Sequence, residues 1–359
     1  MGARSDNTNR DGSRSQSQNR LLNGHAANFF NSNLNAGNIG PNQYAGIEAS
    51  GGNAEFELNG YKYHLFRDPG TFTVTNAGSG SGSAEIVMIG GGGSGGYFYG
   101  DGGGAGGALR AATYPLSSDH PYTCVVGEGG AGPPTSSNPG NVGEASEFYP
   151  TPAGPGEGAN CMFARGGGGG GYKQAEPHPA PPSGFPWNPI SGTGCGGGQH
   201  NGGTSEITPN FPTSTQHPAV TLKYSNRGGD QPYYDSTGSG GGGISGGGET
   251  NAAFLPSGGG NGLGFPGFPG PGMYDAMPSP EQSAWGGTTW RDTLSPSGLI
   301  GGGGGGWTTS PPPARSDGGG GWFKDPDYNG IDYTGSGGAG PVPYSGHGGV
   351  GTIWIRYEL

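Results

Sequence analysis

The chain has 359 residues, of which 88 are Gly and 33 are Pro, while only 29% are hydrophobic and 11% charged. Gly and Pro interrupt every window of helical length, which excludes long helices, and the apolar fraction predicts no large oily core. The net charge of −11 argues against a nucleic-acid partner, which demands a basic face; the Arg-Gly-Gly triplets at Arg165 and Arg227 are isolated.

The default state of so Gly- and Pro-rich a chain is low-complexity disorder. Against that default stand 17 Tyr, 14 Phe and 6 Trp, since disordered chains are charge-rich and aromatic-poor. Residues 1–48 form a polar arm with Arg4, Arg10, Arg14 and Arg20 set against Asp6 and Asp11, and without glycine runs. Its apolar surface is too small to fold alone. Leu21, Leu22, Phe29 and Phe30 are its candidate docking residues. Met1–Asp6 lacks an apolar signal core, and Asp6 stands where a myristoylation motif needs Ser or Thr. Synthesis in a cytoplasm without classical export is the expectation, and no stretch is long enough to span a membrane as a helix.

Residues 49–359 read as one glycine-rich domain. Ala54–Leu58 and Tyr61–Phe66 flank Asn59-Gly60, the dipeptide that supplies a two-residue hairpin turn with positive φ angles. Thr71–Thr75 alternates with period two and predicts a strand with one apolar face. Ala84–Ile89 predicts a more buried strand running into the glycine block 90–96. Tyr122–Val126 leads into Gly127–Gly130, and Asn160–Arg165 into glycines 166–171. Further blocks lie at 194–203, 238–248, 257–264, 301–306 and 318–321. The stretches 172–193, 207–235, 265–297 and 307–316 read as Pro- and aromatic-rich loops. The collagen-like period at Gly264–Gly270 reads as local extended structure, and Thr352–Tyr357 as a closing strand.

Free glycine runs are flexible linkers, but here they alternate with strands throughout one domain. The ordered alternative is a bundle of polyproline-II-type glycine helices. These have three residues per turn and no internal hydrogen bonds, so every N–H and C=O faces a neighbour. Any Cβ would obstruct that approach. Ordering a residue costs about 1–2 kcal/mol of backbone entropy and a hydrogen bond returns about 0.5–1.5 kcal/mol net. A lone glycine helix must therefore melt, and a bundle needs strands and aromatics to clamp it. The predicted fold class is all-β and irregular, with short strands feeding packed polyglycine-II helices and no long α-helix.

Several of these segments carry a family resemblance: Thr71–Thr75, Ile86–Gly96, Gly102–Ala108, Tyr122–Ala131 and the terminal Gly351–Tyr357. Together they resemble the glycine-rich domain of bacteriophage tail fibre and adhesin proteins of the marine and cyanophage type. The similarity is concentrated at 71–131 and 348–357, rests on glycine punctuation between them, and does not cover residues 1–48. It implies a virion appendage on the particle exterior, a lattice displaying variable loops, and no catalytic residues.

The residues themselves point the same way. Glycine runs satisfy dinucleotide fingerprints trivially, no P-loop Lys follows one, and the seven His show no paired spacing. Cys124, Cys161 and Cys195 match no zinc spacing and read as small apolar fillers, with a Cys161–Cys195 bridge open. No enzyme activity, cofactor or metal is expected. The candidate ligand-contact aromatics are Tyr97, Phe98, Tyr99, Trp187, Tyr233, Tyr234, Trp285, Trp290, Trp307 and Trp322, because aromatics on loops stack on sugars or anchor interfaces. The competing reading makes them caps over the lattice edges. Expected partners are other virion structural proteins and a host surface glycan or protein, without nucleic acid or membrane insertion. A homotrimer is an open assembly, though no heptad is present. The alternatives are a purely architectural tail or capsid component and a cellular extracellular glycine-rich surface protein.

Overall fold

The structure, a computed structural model, describes residues 46–78, 82–97, 100–134, 139–152, 161–171, 194–200, 217–231, 238–249, 258–295, 298–307, 318–322, 328–340 and 345–359. The strands are β1 (Glu48–Ser50), β2 (Ala54–Leu58), β3 (Tyr61–Phe66), β4 (Gly70–Asn76), β5 (Ser83–Ile89), β6 (Ala108–Pro115) and β7 (His120–Val125). They continue with β8 (Ser146–Pro150), β9 (Met162–Ala164), β10 (Gln199–His200), β11 (Val220–Tyr224), β12 (Asp230–Gln231) and β13 (Thr352–Glu358). One antiparallel sheet has the order β1-β4-β7-β8-β9 and the other β11-β6-β5-β13-β3-β2; β10 and β12 form a short parallel pair.

The predicted hairpin holds in register, with Leu58 opposite Tyr61, and Asn59 and Gly60 take φ of 53° and 82°. The closing strand β13 is inserted between β3 and β5, so both ends of the domain meet in the middle of one sheet. Strands β1, β6, β8 and β10 are not foreseen in the sequence, and the stretch 207–235, read as a loop, contains β11 and β12, which pair with β6 and β10.

Side chains form more of a core than composition suggested. Alternation along the strands sends Ile86, Met88, Leu109, Phe72, Cys124, Phe148 and Ile353 into a cluster that both sheets supply. Val87, Ile89, Leu65, Tyr63 and Trp354 point to the opposite face of the six-stranded sheet. That face is covered by α1 (Gly270–Ala276), α2 (Ser279–Ala284) and α3 (Gly287–Thr293), with Met273 on α1, Trp285 at the C-cap of α2 and Trp290 on α3. Each fully buried large apolar side chain contributes about 1.5–3 kcal/mol, so these two layers are the clamps that the lattice needs.

The segment 265–297, read as a loop, thus contains three helices. Pro271 and Pro280 sit in first turns, where a missing N–H is harmless. The Gly264–Gly270 run is not extended: Gly267 turns with φ 91°, and its carbonyl accepts a hydrogen bond from the Tyr63 hydroxyl at 2.8 Å. The open Cys161–Cys195 bridge is not formed: all three cysteines are buried outside disulfides, Cys161 Sγ donating to the Met162 carbonyl at 3.3 Å and Cys195 Sγ to that of Gly106 at 3.9 Å. Burial pushes the Cys195 thiol up to about 12, despite a hydrogen bond from the Asn226 backbone.

Candidate functional site

Beyond the sheets the glycine blocks form a hydrogen-bonded lattice with a period of three. Along 90–96, the N–H groups of Gly90, Gly93 and Gly96 donate to the carbonyls of Gly107, Gly104 and Asp101, at 3.1, 2.8 and 2.9 Å. Gly91 and Ser94 donate to Glu144 and Asn141, and Gly92 and Gly95 to Gly349 and Gly346. Successive residues address three different neighbours in turn, which is the screw of polyproline II.

Segment 100–107 is the hub. Asp101, Gly104 and Gly107 donate to Gly171, Gly168 and Arg165; Gly102 and Ala105 to Ser239 and Gly242; Gly103 and Gly106 to Gly338 and Gly335. Its carbonyls accept from 90–96, from Cys195 and Gly198, and from Gly304 and Trp307. Six rods therefore surround one. A Cβ on Gly103 would lie 2.2 Å from the Gly93 carbonyl oxygen, so glycine is required there by close approach.

The register also fixes the two ends. Gly90, Gly107, Arg165 and Gly351 lie against the sheets, and Gly96, Asp101, Gly171, Gly198, Ser239 and Trp307 form the far end. Tyr97 and Trp307 are half-buried at that end, beside Gly96 and Gly100, and half-buried Trp322 follows Gly321. These three of the candidate aromatics come together on one end of the rods. Trp285 and Trp290 do not. Both are fully buried beneath the six-stranded sheet, with ring centroids 5.0 Å apart and Trp290 edge-on to Trp354 at 6.5 Å. Their assignment as ligand contacts is therefore corrected: they clamp the helical layer to the sheet. Phe98, Tyr99, Trp187, Tyr233, Tyr234 and the arm residues Leu21, Leu22, Phe29 and Phe30 lie outside the described residues.

One residue that sequence reading passed over sits under the far end. Asp101 is fully buried in the hub rod; its Oδ1 accepts from the backbone N–H and hydroxyl of Ser239 at 2.6 and 2.9 Å. Oδ2 has no hydrogen-bond partner among the described residues. Burial pushes the carboxyl up to about 7, against the opposing effect of the Ser239 bonds. The available signal was a single acidic residue inside the glycine block 100–107.

His64 is the other buried titratable group of note. Its Nδ1 lies 2.7 Å from the Gly51 carbonyl oxygen and its Nε2 3.1 Å from the hydroxyl of Tyr357 on β13. Burial lowers its pKa, while the Gly51 bond and Glu55 oppose the shift. Among the described residues, no group of three or more His, Cys, Asp or Glu could hold a metal ion.

Strands that deliver glycine rods into a six-around-one lattice, with aromatics at the far end, define a glycine-rich scaffold domain. The family model described as a glycine-rich domain matches residues 67–358, and the chain belongs to that family. No curated protein matches the chain.

Proposed function

We propose that the chain is a non-enzymatic structural and adhesive subunit of a virion appendage, anchored by its amino-terminal arm and binding a host surface with the far end of the lattice. The observation that carries this reading is polarity. Gly46, where the described chain begins, lies at the sheet end beside Leu359: a Cβ placed on it would be 3.8 Å from the Leu359 carbonyl carbon. The rods hand the chain into the segments around Tyr97, Trp307 and Trp322 at the opposite end. Anchor and display surfaces are thus separated by the length of a rigid lattice, and segments held on a rigid scaffold are where binding residues concentrate. The resemblance to phage fibre and adhesin domains supports the same assignment.

The test has two arms. Removing residues 1–45 should yield folded protein that no longer joins particles. Exchanging the segments that follow Tyr97, Trp307 and Trp322 for those of a related phage should change host adsorption. Incorporation without the arm would overturn the anchoring half of the proposal. Unchanged adsorption after the exchange would overturn the adhesive half and leave an architectural part.

A further inference from the structure

At the sheet end the helical-layer face of the six-stranded sheet holds a pocket of about 420 Å³, within the range that binds small groups or peptide side chains. Tyr61, Tyr63, Phe265, Pro266, Phe268 and Pro269 wall it, with Asn59 at the rim. The Arg356 guanidinium stands in the wall, 4.2 Å from the Tyr61 ring centroid and 5.3 Å from that of Phe268. Its Nε and Nη2 donate to Glu85 Oε2 at 2.8 and 2.6 Å, and Arg110 Nε donates to the other oxygen at 2.7 Å. Among the described residues, Nη1 makes only a long contact of 3.5 Å, to the Tyr63 hydroxyl. Sequence reading did not single out Arg356.

Charge does not favour an anion here. Arg110 and Arg356 are balanced by Glu85 and by exposed Glu358, which lies opposite Tyr61 on β13. What the wall offers at its surface is the half-buried ring of Tyr61 with exposed Pro266 and Pro269, backed by the buried Tyr63, Phe265 and Phe268, and an underused donor beside them. Aromatic grooves of that kind recognise polyproline-II segments, whose rings pack on aromatics and whose carbonyls have no partner in their own helix.

The position indicates the source. The Leu359 N–H donates to the Gly60 carbonyl at 3.0 Å, Gly60 adjoins Asn59 on the pocket rim, and Gly46 lies beside Leu359. The arm therefore joins the domain on the side that carries this pocket. We propose that the pocket receives an extended, proline-containing segment of the protein to which the arm docks, with a segment carbonyl accepting from Arg356 Nη1 and its prolines against Tyr61 and Pro266. This rests on the anchoring reading above, but its test does not use particles.

The full chain is titrated with a fluorescein-labelled peptide of repeated Pro-Pro-Leu units and with a Gly-Ser peptide of the same length, and anisotropy is read. Saturable binding of the proline peptide alone is expected. It should weaken about three- to tenfold in Tyr61→Ala and also in Pro266→Glu, a change at an exposed rim residue that leaves the fold intact by circular dichroism. Arg356→Lys keeps the charge but loses the planar fork, and should weaken binding similarly. Equal binding of both peptides, no saturation, or indifference to Pro266→Glu overturns the proposal. So does competition by an acidic oligosaccharide but not by unlabelled proline peptide, or self-association that Pro266→Glu abolishes without any peptide binding.

Discussion

Asp101 and Ser239 join two rods of the lattice through a side chain: one carboxylate oxygen takes both the backbone N–H and the hydroxyl of Ser239, at 2.6 and 2.9 Å. The second oxygen, buried with no hydrogen-bond partner among the described residues, makes ionisation costly. The folded-state pKa of about 7 lies above the ordinary 3.8, so between those values the folded chain holds a proton that the unfolded chain has released. Its contribution is fully present below 3.8 and fades by about 1.4 kcal/mol per unit as pH rises to 7. Asp101→Asn keeps the acceptor for Ser239 and should remove this slope, raising stability at pH 8 by about 2–4 kcal/mol. Denaturant unfolding of both proteins at pH 5 and pH 8 measures it; identical pH profiles would show that the carboxyl ionises without penalty.

His64 works in the opposite sense. Its folded pKa is lowered, so as pH falls below 6.5 the unfolded chain takes up a proton that the folded chain refuses, and stability falls. In wild type the two slopes oppose one another at mildly acidic pH. His64→Gln should therefore expose the Asp101 trend, with stability declining from pH 5 to pH 7, and Asp101→Asn should expose the His64 trend. Two variant profiles sloping the same way would contradict one of the two assignments, the sign of the slope saying which.

The lattice should discriminate sharply between glycines. Gly103→Ala places a methyl group 2.2 Å from the Gly93 carbonyl oxygen and should cost about 3 kcal/mol or more, because backbone on both sides must move. Gly272→Ala, inside α1 and 3.8 Å from Leu58, should be neutral or stabilise by about 0.5–1 kcal/mol. Thermal melts of the pair provide the comparison, and equal losses would contradict a close-packed lattice.

Strand β13 should be indispensable. It completes ladders with both β3 and β5, and Trp354 is fully buried against Phe268 and Trp290. Trp354→Ala should cost about 3–5 kcal/mol, and a chain ending at Gly351 should show no cooperative unfolding transition by circular dichroism.

Amide exchange tests the rods directly. The N–H groups of 90–96 and 101–107 are all bonded to other rods and should exchange as slowly as those of β5 and β13. Solvent-exposed glycine runs would exchange at the intrinsic rate instead.

Much of this architecture was legible in the residues. Asn59-Gly60 fixed the first hairpin because its positive φ angles are a local requirement, and the glycine blocks fixed the rods because backbone packing tolerates no side chain. β6 escaped because Ala108–Pro115 has little β-branched character and takes its form from β5 and β11 on either side. The helices escaped because Pro and Gly read as breakers, whereas at Pro271 and Pro280 they start helices. Trp285 and Trp290 looked like display residues for the same reason; once their segment folds under the sheet they become its filling. At the far end, Tyr97, Trp307 and Trp322 could be named from sequence, but their convergence depends on rod register, which composition does not encode.

The threefold screw of the rods has a consequence for how such a molecule can change. Adding or deleting three residues within a rod leaves each remaining amide facing the neighbour it faced before. One or two residues would rotate the rod and aim its amides at the wrong partners. Length variation in relatives should accordingly come in triplets inside the rods and without restriction in the segments between them, so the far end can change in length while the rods keep their pairing.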